Sequence, residues 1–139
     1  MYIRVFRMED YDQVIALWTA VGLDVSRSDS RAGLAHKLER DADLFLVAKA
    51  EESSSDIIGV VMGSYDGRRG WINHLAVAPA NKGHGLGRLL MAEVERRLRA
   101  KGCAKVNLLI EPANVQAQGF YERLGYNPDA LVFMEKRLS

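Results

Sequence analysis

The amino-acid sequence predicts an α+β fold in which helices flank a mixed, mostly antiparallel central sheet. Two observations support this class. Three strand-like segments follow one another between residues 44 and 77 with no helical pattern between them, which favours an antiparallel meander. A strongly amphipathic segment then begins at Leu86 and leads into another strand-like segment, so a helical crossover is expected to join two parallel strands.

The periodicity gives the element order β-α-α-β-β-β-α-β-α-β, with six to seven strands and about four helices. Ser30 and Asn114 are the expected N-caps of the second and fourth helices, and Gly22, Gly102 and Gly125 follow the last periodic residues of three helices. Strands are expected at 1–7, 44–50, 57–65, 71–77, 104–110 and 131–138, and helices within 8–23, 31–40, 86–101 and 115–124.

Composition limits the function classes. With 139 residues, of which 48% are hydrophobic, the chain is expected to form a single domain over 1–139. The net charge of +1 argues against a dedicated nucleic-acid partner. No signal-peptide core or 18-residue apolar run is present, so we expect no membrane partner and a cytoplasmic location. Cys103 is the only cysteine, which excludes an internal disulfide and a Cys-cluster metal site.

The stretch from Leu75 to Leu90 has the pattern of a strand, a tight glycine loop and a helix. Gly83, Gly85 and Gly87 alternate immediately before the amphipathic segment. The N–H groups that begin a helix have no intrahelical partner and lie at the positive end of its dipole, so they bind anions. Lys82, His84 and Arg88 add cationic side chains. The stretch therefore predicts a phosphate site, although alternate glycines alone also fit a plain tight turn.

A second motif makes this loop more informative. The loop, the helix after it and the segment NVQAQGFYERLGY from Asn114 to Tyr126 together resemble the GCN5-related N-acetyltransferase (GNAT) superfamily. The signature [RQ]-x-x-G-x-[GA] of that superfamily falls on Lys82 to Gly87, with Lys82 in place of Arg or Gln. The resemblance covers nearly the whole chain, and the N-terminal and central strands look like a short bacterial branch typified by YpeA.

The resemblance implies acetyl-CoA as co-substrate and no metal. Its pyrophosphate would lie on the backbone of the loop, and its pantetheine arm would bond to the backbone of the preceding strand and to Asn114. The cofactor-binding residues implied in this way are Leu75, Ala76, Val77, Lys82, Gly83, His84, Gly85, Leu86, Gly87, Arg88, Asn114 and Tyr121.

Tyr121 is the implied general acid that protonates the departing thiolate of CoA. Asn114 precedes it by seven residues, about two helical turns, so both side chains can reach one ligand. A phenol with a pKa near 10 suits proton donation to a thiolate. The alternative is that Tyr121, Phe120 and Leu124 only pack as a hydrophobic stripe, which is the interpretation we prefer for the last two.

The general base stays open between His74, Glu111 and a water relay. His74 has a suitable intrinsic pKa, but strand parity with a possible bulge does not tell whether Asn73 or His74 faces the cleft. Asn73, Tyr65 and Asp66 are candidates for binding the acceptor amine by charge or hydrogen bonding.

The sequence thus predicts an N-acetyltransferase that transfers the acetyl group of acetyl-CoA to a primary amine by direct attack in a ternary complex. The acceptor is a small-molecule or protein amine, and the chain is a monomer or a homodimer. The alternative is a non-catalytic acyl-CoA binding or sensing module, which fits the lack of Glu on strand 71–77. A purely structural domain would require two motifs at family spacing by coincidence.

Overall fold

The structure, a computed structural model, describes all 139 residues and divides them into two units, Met1–Leu109 and Ile110–Ser139. The first unit holds a five-stranded sheet and three helices. Its strands are β1 (Tyr2–Val5), β2 (Phe45–Lys49), β3 (Gly59–Tyr65), β4 (Gly70–Val77) and β5 (Val106–Leu108), and its helices are α1 (Tyr11–Ala20), α2 (Arg31–Asp41) and α3 (Leu86–Ala100). None of the helices combines the length and apolarity needed to cross a bilayer.

The strands lie in the order β1-β2-β3-β4-β5. Each of the first four is antiparallel to its neighbour, whereas β4 and β5 are parallel and are joined through α3. The predicted meander and helical crossover are therefore confirmed.

Each face of the sheet carries its own helices. Phe6, Phe45 and Trp18 stack in one buried cluster beside α1, with the Phe6 and Phe45 ring centroids 4.2 Å apart. On the opposite face α3 lies so close to β3 that a Cβ on Gly63 would come within 2.8 Å of Val94 Cγ2. A Cβ on Gly59 would likewise meet the side chains of α3. The glycines of this strand thus allow α3 to pack closely against the sheet.

The helix boundaries follow the local signals in the sequence. The Ser30 hydroxyl accepts a bond from Gly33 N at 3.0 Å and so caps α2. At the end of α1, Gly22 has φ +82°, and the N–H groups of Gly22 and Leu23 donate to the last turn of the helix. This left-handed ending favours glycine because a side chain is strained there.

A buried carboxylate supports the turn between β1 and α1. Asp10 accepts two hydrogen bonds from the Arg4 guanidinium, at 2.7 and 2.9 Å, and one from Arg7 N at 2.9 Å. Burial opposes ionisation of Asp10, but these bonds outweigh it and leave the pKa of the carboxyl below its usual value.

We expect the free energy of unfolding to fall when the pH is lowered through the ordinary Asp pKa of 3.8 and below. A carboxyl whose pKa is depressed in the folded state stabilises the fold when ionised, and protonation removes that contribution. Urea unfolding of the wild type and of Asp10→Asn between pH 3 and pH 7 tests this. The variant should be less stable at neutral pH, and the difference should shrink in acid; a constant difference would contradict it.

The second unit, Ile110–Ser139, contains one helix, α4 (Val115–Arg123). The Asn114 side chain accepts a bond from Ala117 N at 3.1 Å, as expected of an N-cap. Gly125 N donates to Glu122 O and Tyr126 N to Tyr121 O, which closes the end of the helix.

The expectation of six to seven strands is wrong, because the sheet has five. The predicted last strand, 131–138, has no strand structure, and its large apolar side chains are exposed, from 61% for Phe133 to 93% for Leu138. Alternating apolar residues give only a local preference, whereas a strand exists only where its backbone bonds to a neighbouring strand. The remaining elements occur in the predicted order.

Candidate active site

The glycine loop between β4 and α3 adopts left-handed backbone at two positions. Gly83 has φ +83° and Gly85 has φ +79°, and Gly85 is the N-cap of α3. An added Cβ would meet no atom within 4 Å at either glycine, so the backbone conformation itself, and not crowding, calls for glycine.

The loop leads into backbone donors at the start of α3 that have no partner in the helical ladder. The first bond of the α3 ladder runs from Leu89 N to Gly85 O at 3.1 Å, so the N–H groups of Leu86, Gly87 and Arg88 precede the ladder. Lys82, His84 and Arg88 are exposed around these donors. The helix dipole and the cations favour an anion at this position.

Next to the loop, β4 has no partner strand on the β5 side. β4 pairs with β5 only through Gly70, Trp71 and Ile72, and then continues to Val77 without a partner on that side. The backbone groups of Leu75 and Val77 on the β5 side are thus available to an extended ligand that bonds as a strand does. Ala76 is buried in the cluster beside α1 and contributes packing.

A bulge interrupts β4 immediately before this open edge. Val60 pairs with Ala76 and Met62 pairs with Asn73, so His74 and Leu75 together lie opposite Val61. His74 has φ +53°, a left-handed backbone that residues other than glycine rarely adopt. Bulges and such strained residues cluster at active sites.

The bulge places His74 on the α1 side of the sheet. Its ring lies 4.7 Å from the Trp18 ring, and its Nε2 lies 3.4 Å from Oδ2 of Asp29, a buried carboxylate in the 3₁₀ turn before α2. Asn73 is exposed. The alternation along the strand did not tell whether Asn73 or His74 faces the cleft. In the structure, His74 is the one held against neighbouring side chains.

Asp66 and Tyr65, two candidates for binding the acceptor amine, form hydrogen bonds within the β3–β4 turn itself. Asp66 Oδ1 accepts bonds from Arg69 N and Arg68 N, which lower the pKa of the carboxyl, and the Tyr65 hydroxyl donates to Gly67 O at 3.1 Å. This turn lies about 13 Å along β4 from His74, at a rise of about 3.3 Å per residue.

A cavity of about 350 Å³ lies between α2 and β3 on the side of the sheet that carries His74. It is lined by Ser28, Asp29, Gly33, Leu34, His36, Lys37, Arg40, Met62 and Ser64. None of these residues was predicted from the sequence to be a site residue. The only local signal was the Ser26-x-x-Asp29 spacing of a capping box, which indicates a helical turn and carries no information on the contact with His74.

The predicted acid and the remaining candidate base lie in the second unit. Tyr121 packs edge-on against Phe120 and Tyr126, at ring-centroid distances of 5.0 and 5.7 Å. Burial raises the pKa of Tyr121 to about 12. Glu111 is exposed, and the Asn114 amide oxygen serves as the cap of α4.

The fold is thus an α+β domain whose mixed sheet opens beside the N-terminus of a helix that follows a glycine loop. The chain belongs to the Acetyltransferase (GNAT) family, whose model matches residues 9–126.

Solved structures share this fold. Ard1 from Thermoplasma volcanium is 22% identical with a TM-score of 0.82, and the match covers 93% of this chain and 84% of that one. The PaiA N-acetyltransferase from Thermoplasma acidophilum, in complex with coenzyme A, is 22% identical with a TM-score of 0.78 over 94% of this chain and 92% of that one. Naa20 from Chaetomium thermophilum, in complex with a bisubstrate analogue, is 24% identical with a TM-score of 0.73 over 89% of this chain and 70% of that one.

Proposed function

We propose that the protein is an acetyl-CoA-dependent N-acetyltransferase that acts on a primary amine. The observation that carries this proposal is the glycine loop, whose free N–H groups begin α3 directly beside the open edge of β4. One ligand with a diphosphate and a flexible amide-containing arm matches both features. Membership of the GNAT family and the coenzyme A complex of a similar structure support the same co-substrate.

In this proposal the backbone of the loop holds the pyrophosphate, and Lys82, His84 and Arg88 balance its charge. The backbone of β4 at Leu75 and Val77 orients the pantetheine arm and polarises the thioester carbonyl. The acceptor nitrogen attacks that carbonyl, the carbon–sulfur bond breaks, and the acetyl group remains on nitrogen as an amide. Orientation of two bound substrates and backbone stabilisation of the oxyanion account for much of the rate.

Tyr121 acts as the general acid in this scheme and donates its phenolic proton to the CoA thiolate as the carbon–sulfur bond breaks. With a pKa of about 12 the phenol is fully protonated at neutral pH. An acid with so high a pKa accelerates the reaction less than one whose pKa lies near the working pH. We therefore expect a rate contribution toward the lower end of the 10²- to 10⁴-fold typical of general acid–base catalysis.

His74 acts as the general base and accepts the proton that the acceptor ammonium must lose before its nitrogen can attack. Its location at the bulge, next to Asp29 and therefore next to the cavity between α2 and β3, supports this choice over the exposed Glu111. The cavity is the proposed acceptor site. The acceptor is a small-molecule or protein amine, and Asn73, Tyr65 and Asp66 stay candidates for its outer contacts.

The sequence features that resemble the short YpeA-like branch lead us to propose also a bacterial, cytoplasmic enzyme, monomeric or homodimeric. No metal has a part in the proposed reaction.

Titration calorimetry is expected to show that acetyl-CoA binds at micromolar concentration. S-acetylpantetheine should bind far more weakly, because it lacks the diphosphate that the loop holds. Equal affinity for the two ligands, or no binding of acetyl-CoA, would contradict the assignment of the loop. Release of free CoA thiol over a panel of primary amines then separates an enzyme from an acyl-CoA sensor, which would bind acetyl-CoA equally well and release none.

A further inference from the structure

Asp29 is a buried carboxylate that the proposed reaction does not yet use. Its side chain is 5% exposed, and Oδ2 lies 3.4 Å from Nε2 of His74, although the two residues are 45 positions apart in the sequence. A carboxylate is rarely buried without a partner, because it loses its hydration.

The local structure fixes Asp29 firmly. Oδ2 accepts a bond from Ser26 N at 3.0 Å and one from the Ser26 hydroxyl at 3.2 Å. The backbone carbonyl of Asp29 accepts a bond from the Tyr11 hydroxyl of α1 at 2.9 Å. Both the carboxylate and its backbone are therefore held in place, and the carboxylate presents an immobile acceptor to His74.

His74 is held just as firmly from the other side. The Trp18 indole nitrogen donates to the His74 carbonyl at 3.2 Å, and the Trp18 ring lies against the imidazole at an interplanar angle of 51°. The ring is supported by Trp18, and Nε2 is the ring nitrogen recorded next to Asp29, at 3.4 Å, which leaves Nδ1 as the atom to take up a proton.

Resting on the proposed function, in which His74 is the base, we propose that Asp29 is a positioning residue. It accepts the Nε2–H bond of His74, keeps the lone pair on Nδ1, and stabilises the imidazolium that forms when Nδ1 takes the acceptor's proton. No other bond changes in this step, and the proton leaves His74 for solvent after the transfer. The alternative is a purely structural role, in which the Asp29–His74 pair only holds the 26–29 turn against β4.

The charged groups around this pair are few. Asp29 is the carboxylate that faces the imidazole, and α1 contributes Trp18, which does not titrate. The cavity wall next to Asp29 carries His36, Lys37 and Arg40 of α2. Lys37 is bonded to Asp41 and to the Gly63 carbonyl, so its charge is largely compensated there. Asp29 is therefore the charged group that lies against the imidazole of His74.

The first test needs no activity. Nitrogen-15 NMR of the wild-type imidazoles, with His74 assigned by its absence in His74→Gln, is expected to show the neutral ring of His74 protonated at Nε2. Protonation at Nδ1 would overturn the proposal, because the Asp29 carboxylate would then have no proton to accept.

The second test is a double-mutant cycle in the acetyl-transfer assay. Asp29→Asn keeps an acceptor for Ser26 and removes the charge, and it is expected to lower kcat about 10- to 100-fold, as loss of a histidine's carboxylate partner commonly does. In the His74→Gln background, Asp29→Asn should have no further effect, because Asp29 acts only through His74.

Asp10→Asn is the matched control, because Asp10 is also a buried carboxylate that accepts a backbone bond at the start of a 3₁₀ turn. It should lower stability and leave kcat unchanged. Equal effects of Asp29→Asn with and without His74 would overturn the proposal in favour of the structural role. If wild type binds no acetyl-CoA, the proposed function fails, and the NMR result still decides the Asp29–His74 bond.

Discussion

Replacing Tyr121 with Phe is expected to lower kcat about 100-fold and to change the Kd for acetyl-CoA far less. The variant loses only the hydroxyl, so the packing of the ring against Phe120 and Tyr126 remains. A proton donor acts on the departing thiolate in the transition state and contributes little to ground-state binding, so its loss appears in kcat. Steady-state kinetics with a thiol reagent, together with calorimetry, measure the two quantities separately.

Tyr126→Phe is the matched control, because Tyr126 contacts the Tyr121 ring from the same unit and has no part in the proposed reaction. It should retain the wild-type kcat. Because burial raises the pKa of Tyr121 to about 12, ionisation of this phenol should cause no loss of rate near neutral pH. Full activity in Tyr121→Phe would remove its proposed role.

Replacing Gly85 with Ala is expected to weaken acetyl-CoA binding about tenfold. Gly85 has φ +79° at the start of α3, and a residue with a Cβ pays about 1–2 kcal/mol in that region. The loop relieves the strain by turning its N–H groups away from the anion, and a cost of about 1.4 kcal/mol corresponds to a tenfold change in Kd.

Gly22→Ala provides the control for backbone strain alone. Gly22 has φ +82° at the end of α1, and as at Gly85 no atom lies within 4 Å of an added Cβ. Both variants should lower the melting temperature by a similar amount, but only Gly85→Ala should weaken acetyl-CoA binding. An equal loss of affinity in both variants would show that stability, and not loop geometry, controls binding.

The sequence predicts well those features that neighbouring residues determine. Ser30 and Asn114 cap their helices, and Gly22 ends α1, because each signal acts within one helical turn. The order of the meander and the parallel crossover follow from short connections and the handedness of the chain. The conformation of the glycine loop between β4 and α3 could be predicted for the same reason, since it depends on consecutive residues.

Features that depend on distant contacts could not be predicted in this way. His74 faces α1 only because β4 contains an extra residue at the bulge, and the alternation of the sequence does not reveal where that residue is. The partnership of Asp29 with His74 joins a turn to a strand far along the chain. The strand predicted at residues 131–138 is wrong because the local preference for strand was clear, but the segment bonds to no neighbouring strand.

The bulge also reverses which side of the sheet the even-numbered residues of β4 face. Before it, an even-numbered residue, Gly70, faces α3, where an added Cβ would lie 3.0 Å from Leu98 Cδ1. After it, another even-numbered residue, Ala76, lies in the cluster beside α1. If the same residues alternated regularly with no bulge, Ala76 would share the side of Gly70 and face α3. The strand can therefore satisfy both cores only by keeping the irregular backbone that holds His74.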